Sequence, residues 1–153
     1  MVRGRYLEGN TQLGEVLSIR KQVIGEELGM PQAAAECPED MLSVHAVAFD
    51  DANRVVAIGS MHYEGEGFTI SRVAVLPEYR KQYYGDFILK MLIDRAALAN
   101  ATEIYARVIC EAAQFMETVG FSVEGVAQIE EGREILTMKI GADRLGCHAC
   151  QSK

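Results

Sequence analysis

Apolar positions along the chain follow two rhythms, one helical and one alternating. Residues 3–8 suit a short first strand. In TQLGEVLSIRKQVIGEELG the apolar residues Leu13, Val16, Leu17, Ile19, Val23, Ile24 and Leu28 recur at helical spacing. That spacing predicts a core-facing helix with Thr11 near its start and Gly29 and Pro31 at its end. MPQAAAECPED reads as a loop with at most a helical turn across the alanines. SVHAVAFD and RVVAIGSMHY are β-rich runs separated by DAN, a hairpin signal. The turn EGEG leads into a third run, FTISRVAVL, which Pro77 closes.

A second helix is predicted from Gly85 to about Asn100, with Phe87, Ile88, Met91, Leu92 and Ala96 inward and Lys90, Asp94 and Arg95 outward. EIYARVI reads as a strand, and EAAQFMETVGF as a short helix ended by Gly120. SVEGVAQIE and REILTMKI are two last strands around the turn EGR. The order is β-α-loop-β-β-β-α-β-α-β-β. A strand–helix–strand unit after a meander implies an α/β (α+β) domain whose mixed sheet is covered by helices.

At 153 residues, 49% of them apolar, the chain is expected to form one domain over residues 1–140 followed by a tail, 141–153. A net charge of −7 argues against a nucleic-acid or anionic-membrane partner, while leaving room for a small anionic ligand held by local amides and a few cations. MVRGRYLEGN lacks the apolar core of a signal peptide, and no apolar run approaches membrane-spanning length, so a cytoplasmic protein is expected. Cys37, Cys110, Cys147 and Cys150 suit that compartment as free thiols. The C-x-x-C in GCHAC, with His148 inside it, is half a zinc site without a second half, and a loose tail is the plainer reading.

The segment PEYRKQYYG, residues 77–85, joins a strand end to a helix start. Such a junction exposes unpaired amides where the helix dipole favours negative charge. Arg80 and Lys81 add mobile positive charge. On these grounds alone the turn is either a pyrophosphate cradle or a turn that binds nothing.

SRVAVLPEYRKQYYG resembles the cofactor-binding segment of the GNAT superfamily of N-acetyltransferases, where a strand often ending in V-x-P precedes R-x-x-G-x-G and a helix. EAAQFMETVGF is similar to that family's later helix, A-x-x-F-Y-x-x-x-G-F. The resemblance spans roughly residues 3 to 140. IRKQVIGEELGMP, the Asp40…His45 spacing and EEGREILTMK look most like the ElaA-type branch.

The resemblance implies about seven strands in a mostly antiparallel sheet with helices on both faces. It implies a gap between the fourth and fifth strands that takes acetyl-coenzyme A, or coenzyme A. The pantetheine arm would pair with the fourth strand around Val73, Ala74 and Val75. The pyrophosphate would rest on the loop formed by Arg80, Lys81, Gln82, Tyr83, Tyr84 and Gly85. A primary amine, on a small molecule or a protein, would attack the thioester directly, helped by orientation, proton removal and oxyanion stabilisation. A homodimer is common in such folds.

Three departures bear on that expectation. Tyr83 stands where the loop pattern has its first glycine, so either the site is left-handed at a cost of about 1–2 kcal/mol or the loop keeps ordinary angles and the ring turns outward. Met116 stands where many members carry a proton-donating tyrosine, and a thioether donates no proton; core filling is its plain role. Arg133, Glu134 and Ile135 replace the branch's I-P-H, removing a histidine from the acceptor side. The catalytic residues therefore stay unassigned. A non-catalytic GNAT-fold module, sensing coenzyme A or binding a partner, is the alternative to an N-acyltransferase.

Among the remaining residues, Arg72 sits mid-strand, where a buried charge needs a partner. It either meets an acidic substrate group at the acceptor site, joins a structural ion pair, or lies on an exposed face. His45 keeps a family-like position and is a proton-transfer candidate. Glu36 and Asp40 lie in the loop that often borders the acceptor. His45 and His62 without further ligands make a poor metal site, and no metal is assigned. Cys110, just past the fifth strand, reads as a small buried filler, because no base is placed to activate it. Tyr84 suits a cofactor contact better than a catalytic hydroxyl.

Overall fold

Seven strands form one sheet: β1 (Arg3–Glu8), β2 (Ser43–Phe49), β3 (Val55–Glu64), β4 (Gly67–Val75), β5 (Ile104–Ile109), β6 (Phe121–Glu130) and β7 (Arg133–Ile140). The computed structural model describes residues 2–10, 12–64 and 67–140. Thr11, the tip of the EGEG turn and the GCHAC segment lie outside the described residues. The strands lie in the order β1-β2-β3-β4-β5-β7-β6. Every neighbouring pair is antiparallel except β4 and β5. This is the mixed, mostly antiparallel sheet expected. The place of β7 between β5 and β6 is new, because hairpin signals name partners without saying which strand takes the edge.

The helices are α1 (Gly14–Ile19), α2 (Pro31–Ala34), α3 (Tyr84–Leu98) and α4 (Ala113–Val119). The single helix predicted before Gly29 is divided: α1 passes directly into a π-helical stretch, Arg20–Glu27. Such widened turns occur often at functional sites.

Strand alternation distributes the sheet between two cores. Ala46, Ala48, Ala57, Met61 and Ile70 face α3, packing on Ile88, Leu89, Leu92 and Ala96. Val47, Ile58 and Ala74 face the opposite way, onto Val16, Ile19, Val23 and Ile24. Helices therefore cover both faces, and each core is a continuous apolar cluster. Gly59 on β3 lets α3 approach: a Cβ there would stand 2.6 Å from Cγ2 of Ile88.

Candidate active site

Strands β4 and β5 run side by side for only three residue pairs, Phe68 with Ile104, Thr69 with Tyr105 and Ile70 with Ala106. Beyond Ile70 they part. At the same point β4 carries a bulge: Ile58 opposes Ala74 and Ser60 opposes Ser71, so Gly59 faces both Arg72 and Val73. Arg72 takes a left-handed conformation there, φ 56°. A bulge bends its strand and ends local pairing, which opens a wedge at this place.

The wedge is a cavity of about 820 Å³, a size that takes a cofactor-sized ligand. Its walls come from the π-helical stretch, β4, β5, the β4–α3 loop and α4. Leu28, Met30 and Ala33 line the part formed by α2 and the turn that leads into it. Tyr79, Arg80, Lys81, Tyr83, Tyr84 and Gly85 line the part formed by the loop.

In the loop, Lys81 and Tyr83 are both left-handed, at φ 64° and 68°. Tyr83 settles its two alternatives by taking both features: the backbone is left-handed, and the side chain is 81% exposed. Such residues cost about 1–2 kcal/mol each, and strain of this kind gathers at ligand sites. Three left-handed non-glycine residues, Arg72, Lys81 and Tyr83, stand in the wall of this one cavity. Alternating left-handed turns of this sort aim amides into a concavity.

The first amide after the loop with an internal partner is that of Phe87, which donates to the Tyr83 carbonyl at 3.0 Å. Among the described residues, the amides of Gln82, Tyr83, Tyr84, Gly85 and Asp86 donate to no protein acceptor, and no side chain caps the helix. Gly85 is not strained. A Cβ there would meet Phe115 at 3.6 Å and Val75 at 3.7 Å, ordinary contacts. The loop therefore presents uncommitted donors at the N-terminus of a 15-residue helix.

Charged groups around the cavity are mostly paired. Arg80 grips Glu27 of the π-helical stretch through two bonds, 2.6 and 2.7 Å, and its Nε donates to the Val75 carbonyl at 3.1 Å. The Arg80 hydrogen bond is the main cause holding the Glu27 carboxyl below its usual range. Arg107 on β5 pairs with Glu130 on β6, and Lys90 with Asp86 at 2.9 Å. Tyr79 donates its hydroxyl to Asp50 at 2.7 Å and accepts from Arg54. Tyr84 meets the Tyr79 ring edge-on, centroids 5.8 Å apart.

The α1–α2 connection is fastened from the far end of the sheet. The Glu131 carboxylate accepts the amides of Gln32 and Ala33, both at 2.9 Å. Arg133 donates to the Leu28 carbonyl at 2.7 Å and pairs with Glu111 at 2.7 Å. Arg133, found where the branch has I-P-H, is thus a strap across this end of the cavity.

Not every residue singled out from sequence reaches the wall. Val73, Ala74, Val75, Arg72, Arg80, Lys81, Tyr83, Tyr84 and Gly85 line it, and the Gln82 side chain turns away, its Nε2 donating to the Glu78 carbonyl at 3.2 Å. Glu36 is exposed outside the cavity. Cys110 is exposed rather than a buried filler, because the turn after β5 lifts it off the core. His62 pairs with Glu64 at 2.9 Å. Met116 is buried, as core filling requires, with one side toward the cavity.

His45 is the main correction. It is fully buried and absent from the cavity wall, inside a chain of hydrogen bonds whose directions are all fixed. Its Nε2 lies 3.0 Å from the Gly9 carbonyl, which only accepts, so Nε2 carries the proton and Nδ1 accepts from the Ser60 hydroxyl at 2.7 Å. Ser60 in turn accepts from Arg20 at 2.9 Å. Arg20 holds Asp40 through two bonds of 2.9 Å, and Asp40 also accepts the Cys37 amide. Burial raises the Asp40 carboxyl, but the bonds from Arg20 and Cys37 outweigh it and hold the group at about 2. Burial, then the nearby Arg20 charge, push His45 down, so it is neutral. The Asp40…His45 spacing serves the scaffold.

Sequence reasoning passed over Arg20, Glu27, Tyr79, Arg107 and Glu130. Arg20 did leave a signal: it stands four residues after Val16 and three before Val23, on the apolar face of its helix. Arg107 left the same signal as Arg72, a charge inside a β-rich run. Glu27 left none, since its partner is fifty-three positions away.

Sheet order, the parting of β4 and β5, and the loop of uncommitted amides beside the resulting cavity are the features that characterise this fold. Residues 17–142 match the acetyltransferase (GNAT) domain, and the chain belongs to that family and is an acetyltransferase. Solved structures with the same fold include Escherichia coli ElaA, 18% identical over 92% of this chain and 99% of that one, with a TM-score of 0.79. An acyl-CoA N-acyltransferase from Pseudomonas aeruginosa is 16% identical over 92% and 100%, with a TM-score of 0.81. The ribosomal-protein-S18-alanine N-acetyltransferase of Escherichia coli is 18% identical over 92% and 93%, with a TM-score of 0.68.

Proposed function

We propose that the chain transfers an acyl group, acetyl by preference, from acyl-coenzyme A to a primary amine. The observation that carries this is the wedge beyond Ile70, ending in a loop whose amides lack internal acceptors. The residues present fit a pyrophosphate-bearing thioester. The amides of residues 82–86 and Lys81 suit the phosphates, the open edge of β4 from Ser71 to Val75 suits an amide-containing arm, and Gly85 leaves the approach clear. Acetyl-coenzyme A, when bound, supplies an acyl group already activated as a thioester.

The chain's own contribution is placement and solvation. Val73 to Val75 set the depth of the arm, and Val108, Ile109 and Met116 give the inner cavity an apolar wall that excludes water. The overall exchange is amine plus thioester to amide plus thiol, with one proton passing from nitrogen to sulfur. Among the described residues no histidine lies in the wall, and Glu27 and Glu130 are each held by an arginine. Proximity is therefore assigned the larger share of the rate, and proton relay the smaller. The test is thiol release from acetyl-coenzyme A across a panel of primary amines. Release that requires an amine supports the assignment, and acceptor-independent hydrolysis alone contradicts it.

A further inference from the structure

We infer that the acceptor is a primary amine that also carries a carboxylate, held by Arg72 against an apolar surface. This rests on the acyltransferase reading and names the substrate class for the same site.

Among the described residues four cations stand in the cavity wall: Arg72, Arg80, Lys81 and Arg107. Arg80 and Arg107 are bound to Glu27 and Glu130. Lys81 belongs to the loop. Arg72 alone is a cation at the bulge, half-buried and without a carboxylate partner among the described residues. Its bonds are to neutral oxygens: Nε donates to the Ala33 carbonyl at 2.9 Å, and Nη1 reaches the Ser71 hydroxyl at 3.4 Å. Glu39 feels its charge but makes no ion pair with it. The Ala33 bond tethers the guanidinium through Nε, and Nη2 donates to no acceptor among the described residues. A guanidinium anchored on one side presents a fork suited to a carboxylate.

The strain at this position points the same way. Arg72 holds φ 56° at the bulge where β4 leaves β5. A long charged side chain placed there reaches Ala33 of α2 across the wedge, so the carboxylate of a ligand would sit beside the parting strands. Leu28, Met30 and Ala33 supply the neighbouring surface, which is apolar. Acceptors with several amines fit poorly. Among the described residues each acid in the wall, Glu27, Asp86 and Glu130, already has a cationic partner, and none of these carboxylates is free for a second ammonium group.

The experiment pairs each acceptor with its neutral twin: apolar α- and ω-amino acids beside their carboxamides, assayed by thiol release from acetyl-coenzyme A. Wild-type protein, Arg72→Gln and Arg72→Lys are compared, with acetyl-coenzyme A binding and thermal unfolding measured on each. The expected result is that kcat/KM favours the carboxylate member by about tenfold or more in the wild type. Arg72→Gln should lower kcat/KM on the carboxylate member far more than on its carboxamide, erasing that preference, and Arg72→Lys should restore part of it. Equal turnover of both members, preference for the carboxamide, or a preference that survives Arg72→Gln overturns the inference. So does turnover of neither. Loss of acetyl-coenzyme A affinity in Arg72→Gln assigns the side chain to the donor instead. Failure of the wild type to bind acetyl-coenzyme A overturns the underlying reading of the site, and is seen separately.

Discussion

Two regions of this molecule are rich in polar groups, and they treat them in opposite ways. Around Arg20, Asp40, Ser60 and His45 the polar atoms are sealed from water and answer one another; among the described residues, Nε of Arg20 is the one buried side-chain nitrogen or oxygen without a partner. In the β4–α3 loop, consecutive amides have no acceptor among the described residues. The first region spends its hydrogen bonds on joining the π-helical stretch to β2 and β3. The second keeps its donors for something else. Commitment of the donors, more than the presence of charge, separates scaffold from site here.

The contrast is broken most severely from the buried side. Asp40→Ala strands a fully buried guanidinium, and the loss of stability in urea unfolding should be about 3–5 kcal/mol. A loss under about 1 kcal/mol, the scale of a surface pair, would show that water reaches Arg20 and that the region is not sealed. Next in size is the effect of pH on the same pair. Asp40 is depressed from 3.8 to about 2 in the folded protein. Its contribution is therefore complete above pH 4 and is lost as pH falls toward 2, a decline of about 2 kcal/mol. Unfolding free energies measured across that window in wild type and Asp40→Asn should converge at the acid end; parallel curves would remove Asp40 from the account.

On the open side, Gly85→Asp should separate binding from stability. The site has room for a Cβ, and an acid in the first turn of a helix is stabilising by about 0.3–1 kcal/mol. The same carboxylate opposes a phosphate on the exposed amides, so acetyl-coenzyme A affinity should fall by about tenfold or more. A variant that loses both, or neither, would show that these amides are not the anion site. The smallest effect sharpens the comparison. Glu27→Gln frees Arg80 from its carboxylate, and affinity for acetyl-coenzyme A should rise by a few-fold, on the order of 1 kcal/mol or less. An unchanged affinity would confine Arg80 to bracing the Val75 carbonyl.

Elements with strong periodicity were legible in the chain. The meander of β2 to β4, the helix after Gly85 and the final hairpin all follow from alternation, helical spacing and glycine stops. The loop was legible as a motif, and so was the question posed by Tyr83. What was hidden depends on contacts distant in sequence. The division of the first helix into α and π parts leaves no mark on spacing, since Val16, Arg20 and Val23 suit either winding. His45 looked like acceptor-site chemistry until Gly9 and Ser60 proved to occupy both its nitrogens. Arg72 left three alternatives open, and only the neighbouring Ala33 carbonyl and the pairing of Glu27 and Glu130 elsewhere narrow them.

Calorimetric titration of the full chain with acetyl-coenzyme A, beside the Gly85→Asp variant and with dephospho-coenzyme A as a second ligand, tests the central claim most directly. Saturable binding by the wild type, weakened in the variant while the unfolding midpoint holds, is the result predicted for an open amide cradle. No heat of binding up to millimolar ligand, or equal binding by a folded Gly85→Asp protein, would contradict it.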